Sequence, residues 1–299
     1  MKVLCIGGVA YDITLPVENF PVENKKVKID NIVTCGGGSA SNVAYLLSKW
    51  NIDTFFAGVV GNDYYGNLIK EEFNSVKVNT KYLEIKEDIS TPISFIISSK
   101  ENKTRTIITA RNDIKLESKL VKENFDIIYM DGHEEEFSKK AISSSPNAIK
   151  VIDAGRCCEE TISLCRLSDY IICSLDFAED YTNLNVDFDN LDSLVDIYEI
   201  LHDSFKGKII ITLGEYGSFT ELNGYKLVPG LSVDAVDTTG AGDIYHGAFV
   251  YGLINNYDLI KNMKISNIAA GLSTLKIGGR YSIPRYGDVL KKYDELIRK

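Results

Sequence analysis

The sequence predicts an α/β fold built on a mostly parallel central sheet, and three observations support this. Short, continuous apolar runs recur along the 299 residues, and such runs are typical of parallel strands that are buried on both faces. Segments with the apolar spacing of helices lie between these runs, as a layered α/β protein requires. Two strand-like segments have no helix between them, which indicates a second, small antiparallel sheet.

Six apolar runs predict the strands of the central sheet. They are KVLCI (2–6), TFFAGVV (54–60), FDIIYM (125–130), IKVID (149–153), DYIIC (169–173) and KIIITL (208–213). Two helices are predicted beside them, because residues 41–50 follow a glycine cluster and residues 64–75 follow Asp63, a residue type that often caps helices. The Asn- and Asp-rich stretch 183–205 also keeps helical spacing of its apolar residues.

Three segments predict the small sheet. Residues 26–33 alternate between polar and apolar side chains, and residues 91–99 and 104–110 are strand-like runs joined by the polar turn KENK. The last two segments have the pattern of a hairpin. Insertions at about 13–33 and 90–110 are therefore expected to pair with each other and to form a lid over the main sheet.

Composition excludes several classes of function. The net charge of −9, without any run rich in Lys or Arg, argues against a nucleic-acid or acidic-membrane partner. The six cysteines form no CxxC pair and the three histidines show no ligand spacing, which argues against a zinc site or a disulfide framework. No apolar run is long enough to cross a bilayer, and the N-terminus is expected to be a strand rather than a signal peptide. One cytoplasmic domain, residues 1–299, is therefore expected.

A glycine-rich turn before an apolar helix is the most informative motif. Residues 237–243 read DTTGAGD, and the residues that follow fit a buried helix. Such a turn leaves backbone N–H groups unpaired at the helix N-terminus, where the helix dipole adds partial positive charge. The motif therefore predicts a phosphate site with Asp243 beside it. The alternative is an ordinary capped helix start, but a cap does not require two glycines, an alanine and two threonines.

DTTGAGD resembles the signature of the ribokinase-like (PfkB-type) carbohydrate kinases, and other family marks follow in order along nearly the whole chain. The resemblance implies a three-layer sandwich with a small β lid, and phosphoryl transfer from ATP with Mg²⁺. It leaves dependence on a monovalent cation open. By the family pattern, Asp243 is the catalytic base, and the backbone of Gly240, Ala241 and Gly242 forms the anion hole.

The N-terminal part of the chain carries the sugar-binding marks. CGGGSASN resembles the N-terminal signature of the family, which implies that Gly37, Gly38 and Asn42 face sugar hydroxyls. Glycines let a polyol approach the backbone, and an Asn amide both donates and accepts hydrogen bonds; a flexible turn is the alternative. Asp12 follows the first strand, at the edge where such sheets bind ligands, and family members use this Asp on sugar hydroxyls. A lone turn Asp is the alternative for Asp12.

The lid and the C-terminal half supply the remaining candidates. Arg105 is interpreted either as a cation that reaches over the closed site, as in the ketohexokinase branch, or as a solvated charge on an edge strand. The resemblance implies that the nucleotide lies against the strand–turn–strand segment 211–220, beside DTTGAGD and along the tail 273–284. The nucleotide-binding candidates are Thr212, Gly214, Gly217, Thr238, Gly279 and Ser282.

The chain departs from the family pattern in two places. Many relatives of ribokinase carry an Asn-x-x-Glu element that organises magnesium, whereas the matching stretch CSLDFAEDY has Ser174 and Phe177, so the metal ligands are left unassigned. This serine, with YMDGHEEE and GGRYSIP, resembles the ketohexokinase and sulfofructose kinase-like branches. Ser39 stands where ketohexokinases use an Asn on the sugar, and it is kept as a substrate-binding candidate.

Together these observations predict an ATP-dependent kinase that phosphorylates a primary hydroxyl of a sugar. A ketose or a related carbohydrate is the expected acceptor, and a homodimer through the lid is the expected assembly. The alternatives are a kinase for a nucleoside, an inositol or a sugar phosphate, and a sensor that binds sugar or nucleotide without catalysis. The intact GAGD argues against the sensor, and the lack of GxGxxG after the first strand argues against a dinucleotide-dependent oxidoreductase.

Overall fold

The computed structural model describes residues 1–99, 101, 104–111, 114–117 and 121–298. Its strands are β1 (Lys2–Ile6), β2 (Ala10–Val17), β3 (Val33–Gly37), β4 (Asp53–Gly61), β5 (Asn79–Lys86), β6 (Ile93–Ser99), β7 (Thr104–Ala110), β8 (Ile127–Met130), β9 (Ile149–Ala154), β10 (Tyr170–Ser174), β11 (Lys208–Thr212), β12 (Ser218–Glu221) and β13 (Tyr225–Val228). Its helices are α1 (Ser39–Lys49), α2 (Tyr64–Val76), α3 (Glu135–Ser144), α4 (Glu159–Cys165), α5 (Leu175–Thr182), α6 (Asp192–Ser204), α7 (Ala241–Ile254), α8 (Leu259–Ser273) and α9 (Tyr286–Ile297).

The larger sheet has the strand order β13-β12-β11-β10-β9-β8-β1-β4-β5. The strands from β11 to β5 pair in parallel, and β12 and β13 are added antiparallel at one edge. The six predicted runs are confirmed as β1, β4, β8, β9, β10 and β11. Because these strands are parallel, their carboxyl ends meet at one edge of the sheet, which is where ligands bind in such folds.

Helices cover both faces of the larger sheet, as the predicted three-layer arrangement requires. Successive side chains of a strand point to opposite faces, so Val3 and Cys5 of β1 enter one apolar core and Leu4 and Ile6 enter the other. Helices α1, α2, α7, α8 and α9 pack on the first core, and α3 to α6 pack on the second. Burial on both faces is the reason that these strands read as continuous apolar runs.

The predicted helices are confirmed with small shifts of their ends. Helix α1 corresponds to the prediction at 41–50, and α2 corresponds to that at 64–75. Asp63 caps α2, since its carboxylate accepts a hydrogen bond from the Gly66 amide at 2.8 Å. Helix α6 lies inside the stretch 183–205. None of the helices in the described ranges has the length and apolar character needed to cross a membrane.

The small sheet has the strand order β3-β2-β6-β7. The outer pairs, β2–β3 and β6–β7, are antiparallel, and the central pair β2–β6 is parallel. Both strands of the predicted hairpin are confirmed as β6 and β7. Of the turn between them, Lys100, Asn102 and Lys103 lie outside the described residues. The two chain segments predicted to pair with each other therefore do so, although β2 already begins at Ala10; their role as a lid stays a prediction.

The predicted strand at 26–33 is wrong. Only Val33 of this segment belongs to a strand, as the first residue of β3, and Val27 is 49% exposed. Alternation of apolar side chains favours a strand only where one face is buried against a neighbour. The pairing of β2 with β3 ends at Thr14 and Val33 although β2 continues to Val17, so the residues before Val33 are not paired with it.

Candidate active site

A cavity of about 330 Å³ lies beneath the small sheet. Its walls come from the inward side chains of that sheet, from residues that follow β1 and β8, and from the N-terminal ends of α1 and α7. The cavity brings together many of the predicted site residues. These are Asp12, Gly38, Ser39, Asn42, Arg105, Gly240, Gly242 and Asp243. Residues from both halves of the chain therefore share one concave site.

The carboxylate of Asp243 is held by side chains from distant parts of the chain. Asn42 donates from Nδ2 to Oδ2 of Asp243 at 2.7 Å. Arg280 donates from Nε to Oδ1 of Asn42 at 3.3 Å, so the amide has to present its NH₂ group to the carboxylate. Arg280 is 2% exposed, and it also bonds to Glu72 at 2.7 Å and to Ser41. Asp243 is therefore fixed by a network and does not serve as a helix cap.

Burial raises the pKa of Asp243 above its usual range. The hydrogen bond from Asn42 lowers this pKa, and the charge of Asp153 raises it. Burial also raises the pKa of Asp153 to about 7 and lowers that of His246 to about 4; the imidazole Nε2 lies 3.4 Å from Oδ1 of Asp153. A contact with Ser39 lowers the pKa of both carboxyl groups. A carboxylate of raised pKa is a better proton acceptor near neutral pH.

Asp12 reaches the cavity from the small sheet. Burial raises the pKa of Asp12 to about 7, while the charge of Arg280 lowers it and that of Asp243 raises it. Gly37 packs against this carboxylate, and a Cβ at that position would lie 2.0 Å from Oδ2 of Asp12. Gly38 has a φ of 94°, a backbone conformation that favours glycine. The glycine motif therefore makes room for the Asp12 side chain and for the entry into α1.

The N-terminus of α7 offers fewer free amides than the predicted anion site requires. Gly240 precedes the helix with a φ of 74°, and no side chain caps it. The Ala241 amide donates to the Thr238 carbonyl at 3.2 Å, so it is engaged within the turn. The amides of Gly242 and Asp243 have no hydrogen-bond partner in the described part of the chain. A Cβ on Gly242 would meet nothing within 4 Å, so the space in front of these amides is open to an anion.

Asp237 ties the motif to the C-terminal tail. This residue is 4% exposed, and its Oδ1 accepts from the amide and the hydroxyl of Thr239 at 3.0 and 2.7 Å. Its Oδ2 accepts from the Gly278 amide at 2.9 Å. Gly279 follows directly, and a Cβ on Gly240 would lie 3.2 Å from the Cα of Gly279. The first residue of DTTGAGD therefore shapes the turn, and the tail closes against it.

Arg105 connects the small sheet to the motif. Its Nη1 donates to Oγ1 of Thr238 at 2.6 Å, and the side chain lines the cavity. This contact favours the interpretation of Arg105 as a lid cation over that of a solvated edge charge. The same hydrogen bond joins Thr238, one of the nucleotide-binding candidates, to the small sheet.

The other nucleotide candidates lie in turns near the carboxyl edge of the larger sheet. Thr212 ends β11 and donates its hydroxyl to a carbonyl of β10 at 3.2 Å. Gly214 and Gly217 form the turn between β11 and β12 with φ values of 59° and 105°. Ser282 is 3% exposed and donates to the Gly279 carbonyl at 2.8 Å. Ser282 therefore shapes the tail in this structure, and the two glycines allow the tight turn after β11.

A second polar cluster lines the cavity and was not predicted as part of the site. The buried carboxylate of Asp131 accepts from the amides of Gly8 at 2.9 Å and Ala40 at 3.2 Å. Nδ1 of His133 lies 3.1 Å from Oδ1 of Asp131, and its Nε2 lies 2.6 Å from Nη1 of Arg111. A guanidinium only donates hydrogen bonds. Nε2 therefore accepts from Arg111, and Nδ1 carries the proton that is donated to Asp131.

Sequence reasoning also missed Arg280, Asp153 and His246. The tail motif GGRYSIP was recognised as a family mark, but nothing local in it indicates that its arginine binds Asn42. His246 offered a usable signal, because it is a polar residue inside an otherwise apolar helix. A buried polar side chain of this kind requires a partner, and here Asp153 lies beside it.

The structure assigns no metal ligands. Ser174 caps α5 by accepting from the Phe177 amide at 3.1 Å, and the Phe177 side chain is buried in the core. Neither position that matches Asn-x-x-Glu therefore offers a carboxylate. Within the described ranges, no group of three or more metal-ligating side chains is found. A Mg²⁺ ion that accompanies ATP is held largely by phosphates and water, with one or two carboxylates, so this chain does not need a dedicated cage.

Comparisons with known proteins agree with the fold. The ATP-dependent ribose-1-phosphate kinase of Halopiger xanaduensis is 26% identical over 294 residues, covering 94% of each chain. A ribokinase candidate from Agrobacterium tumefaciens has the same fold, with a TM-score of 0.90 at 22% identity over 100% of this chain and 99% of the other. The ribokinase of Arabidopsis thaliana, solved with ribose and ATP, has a TM-score of 0.80 at 18% identity over 97% of both chains.

Other curated relatives include ribokinases and nucleoside kinases. The ketohexokinase branch stays a prediction, because these comparisons do not test it. The family profile described as pfkB family carbohydrate kinase matches residues 1–285, which is nearly the whole chain. The chain therefore belongs to the pfkB family of carbohydrate kinases and is an ATP-dependent kinase.

Proposed function

We propose that this kinase transfers the γ-phosphoryl group of ATP to a primary hydroxyl of a sugar, with a ketose or a related carbohydrate as the acceptor. The observation that carries the proposal is the partly buried carboxylate of Asp243, whose pKa is raised, beside the open amides at the start of α7. The cavity of about 330 Å³ lies at the lower end of the range for small-molecule sites, which suits a single sugar ring. Asp12 and Asn42 line it and supply groups that bind hydroxyls.

In the proposed reaction, Asp243 accepts the proton of the acceptor hydroxyl as the hydroxyl oxygen attacks the γ-phosphorus. The bond from the γ-phosphorus to the bridging oxygen breaks, and that oxygen leaves with ADP. Asn42 holds Oδ2 of Asp243, and Oδ1 is the oxygen proposed to receive the proton. A positioned general base of this kind contributes roughly 10²–10⁴-fold to the rate.

The open amides of Gly242 and Asp243 are proposed to stabilise charge on the transferred oxygens. Arg105, through its bond to Thr238, brings a cation from the lid to the same motif. Phosphoryl transfer depends mainly on positioning and on stabilisation of charge. The Mg²⁺ that binds with ATP supplies further neutralisation of the phosphates, and a monovalent cation stays unassigned. Closure of the small sheet would exclude water that otherwise hydrolyses ATP.

The nucleotide is proposed to lie along the turn after β11 and against the C-terminal tail. Gly214 has open space around it, since a Cβ there would meet nothing within 4 Å, and Thr212 lies at the start of this turn. Gly279 lies against Gly240 at the entry to α7, so a nucleotide beside the tail would direct its phosphates towards the anion site. This placement rests on the family resemblance together with that contact.

A nucleoside kinase is the second candidate, because nucleoside kinases are among the curated relatives. Such an enzyme would use the same base and anion site, and it would differ at the acceptor end of the cavity. A sensor is a weaker alternative, since binding alone requires neither a buried base nor the network that holds it.

We also propose that the chain, residues 1–299, forms one kinase domain that dimerises through the outer face of the small sheet. Phe95 and Ile108 lie opposite each other on that face and are 41% and 58% exposed. Ile13 is the partner of Phe95 on the other side. An exposed apolar surface of this kind marks an interaction site.

The six cysteines are all free, which suits the reducing cytoplasm proposed for the chain.

The decisive experiment compares Asp243→Asn with the wild type in an ADP-release assay over ketoses, pentoses, nucleosides and inositols. Asn keeps the size of Asp243 and can still accept from Asn42 through its amide oxygen, but it cannot take a proton. We expect near-normal melting, retained ATP binding and a fall in kcat of at least about 10²-fold.

The matched control is Asp258→Asn, because Asp258 is a true helix cap that accepts from the Lys261 amide at 2.9 Å. Asn caps helices about as well as Asp, so this variant is expected to keep wild-type kcat. If Asp243→Asn behaved like Asp258→Asn, the role of Asp243 as a base would be refuted.

A further inference from the structure

The cavity has a cationic end that the proposed reaction leaves unused. Arg111 and His133 line this end together with Gly8. Arg105 and Arg111 are six positions apart, at the start of β7 and just after it. A strand rises about 3.3 Å per residue, so their Cα atoms are roughly 20 Å apart. Arg105 serves the transfer motif through Thr238, and Arg111 marks the opposite end of the cavity.

Arg111 is held in the cavity by a chain of hydrogen bonds that begins in the core. The fully buried Asp131 fixes the imidazole of His133, and the imidazole fixes one nitrogen of the guanidinium. A guanidinium carries five N–H donors, so this contact orients the group and leaves other donors for a ligand. Lys115 adds positive charge here, since its Nζ donates to the His133 carbonyl at 2.6 Å.

The loop after β1 leaves room for this cation. A Cβ on Gly8 would lie 2.9 Å from Nη2 of Arg111 and 3.1 Å from Nδ1 of His133. Glycine therefore lets both side chains approach the backbone at the carboxyl edge of the sheet, where ligands bind. An arginine that was only solvated would not require such space.

The carboxylates of Asp131 and Glu134, which the structure describes near this end, are directed to other partners, whereas Asp113 lies outside the described residues. Asp131 accepts from the amides of Gly8, Ala40 and His133 as well as from the imidazole. Glu134 is buried and accepts from the Leu116 amide at 2.9 Å. Each acid is therefore bonded to backbone donors, and the guanidinium of Arg111 faces the cavity.

We propose that the Arg111–His133 end of the cavity binds an anionic group, a phosphate or a sulfonate, that the acceptor sugar already carries. The acceptor would then lie with its reacting hydroxyl at Asp243 and its anionic group on the guanidinium of Arg111. Arginine pairs with such oxyanions through two parallel hydrogen bonds, which fixes orientation as well as charge. This inference rests on the proposed function, because it names the class of acceptor for the same site.

The test measures ADP release with ATP and Mg²⁺ for matched neutral and charged acceptors that each keep a primary hydroxyl. The neutral probes are fructose and ribose; the charged probes are fructose 1-phosphate, fructose 6-phosphate, ribose 1-phosphate and 6-deoxy-6-sulfofructose. We expect kcat/KM to be about 10- to 100-fold higher for a charged acceptor than for its neutral parent. The preferred charged probe distinguishes a phosphate from a sulfonate as the natural group.

Arg111→Gln is expected to abolish this preference through a higher KM for charged acceptors, so that the ratio of kcat/KM between a charged acceptor and its neutral parent falls to about one. His133→Gln should weaken the preference in the same direction, because it removes the anchor of the guanidinium. Arg166→Gln is the matched control, since it removes an exposed arginine at the end of α4. A preference for neutral sugars, or one that Arg111→Gln retains, would overturn the inference.

Equilibrium binding separates this inference from the proposed kinase activity. Charged acceptors are titrated without ATP into Asp243→Asn, alone and combined with Arg111→Gln. Binding that requires Arg111, without ADP release by the wild type on any probe, would reject the kinase mechanism and keep the anion site. ADP release with equal binding of neutral and charged probes would reject the anion site alone, and so would the absence of binding by every charged probe.

Discussion

Replacement of Arg280 by Met tests whether the carboxylate of Asp243, the proposed base, depends on the C-terminal tail. Met has a similar length and no charge, so the variant keeps much of the packing while it removes three polar contacts. These are the bonds to Glu72, Ser41 and Asn42. We expect a loss of stability, because the carboxylate of Glu72 loses its cation, and a loss of activity, because the amide of Asn42 is no longer held.

The loss of stability follows from the state in which Glu72 is left. Removal of one partner of a buried ion pair costs about 3–5 kcal/mol. The Glu72 side chain keeps 24% of its surface exposed, and its carboxylate still accepts from the Gly36 amide at 3.0 Å. We therefore expect the lower limit, a fall of about 3 kcal/mol in the free energy of unfolding.

The loss of activity follows from the freedom that Asn42 gains. Without Nε of Arg280, its amide can turn and present its oxygen to Asp243. A hydrogen bond of this kind is worth about 1 kcal/mol net, which corresponds to a roughly fivefold to tenfold fall in kcat.

Urea denaturation and steady-state kinetics on the same preparation measure both effects. The control is Arg285→Met, which removes a cation from the same tail without touching the network. We expect this control to change the free energy of unfolding by less than about 0.5 kcal/mol. The double variant Glu72→Gln/Arg280→Met should recover part of the lost stability, because no unpaired charge is left. If Arg280→Met matched the Arg285→Met control in stability and in kcat, the reasoning would be refuted.

Three further predictions concern pH, the lid and assembly. Burial raises the pKa of Asp153 to about 7. The folded chain therefore keeps a proton that the unfolded chain loses near pH 4. As a result, the free energy of unfolding falls as the pH rises from about 4 to about 7. Asp153→Asn should remove that part of the slope, at most about 1.4 kcal/mol per pH unit, and urea titrations across this range with an unchanged slope would contradict it. Arg105→Ala should raise KM or lower kcat by about tenfold with unchanged melting, since it removes a charge-assisted contact to the motif; wild-type kinetics would restore the edge-charge interpretation. Light scattering at micromolar concentration should give the wild type twice the chain mass of 33.3 kDa, and it should give Ile108→Asp the mass of one chain. A wild type with the mass of one chain would exclude the dimer.

The parts of the fold that follow from local pattern were predicted well. Continuous apolar runs identified β1 and its parallel neighbours, because burial on both faces leaves no polar positions in such strands. The helix start at DTTGAGD was equally readable, since glycine at 240 adopts a positive φ that few other residues tolerate. The segment 26–33 has a strand-like pattern but no strand to pair with, and only the tertiary structure decides that.

The contacts within the site were beyond reach of the sequence. Asn42 and Asp243 were each predicted as site residues, but their hydrogen bond joins positions 201 apart in the sequence. The periodicity of a helix or a strand does not indicate so distant a contact. Arg280 gave no signal of its own, because its role depends on Glu72 and Asn42 together. The raised pKa of Asp12 arises from burial, which becomes known only when the surrounding elements are in place.

The span of these bonds has a consequence for synthesis of the enzyme. Arg280 reaches back to Asn42 across 238 positions and to Ser41 across 239. A chain grows from its N-terminus at about 5–20 residues per second, so Asn42 emerges from the ribosome well before Arg280 is made. Until Arg280 has been made and has folded back, Asn42 has no fixed amide to offer Asp243. The full rate should therefore be reached only late in translation, after Arg280 has folded back onto Asn42.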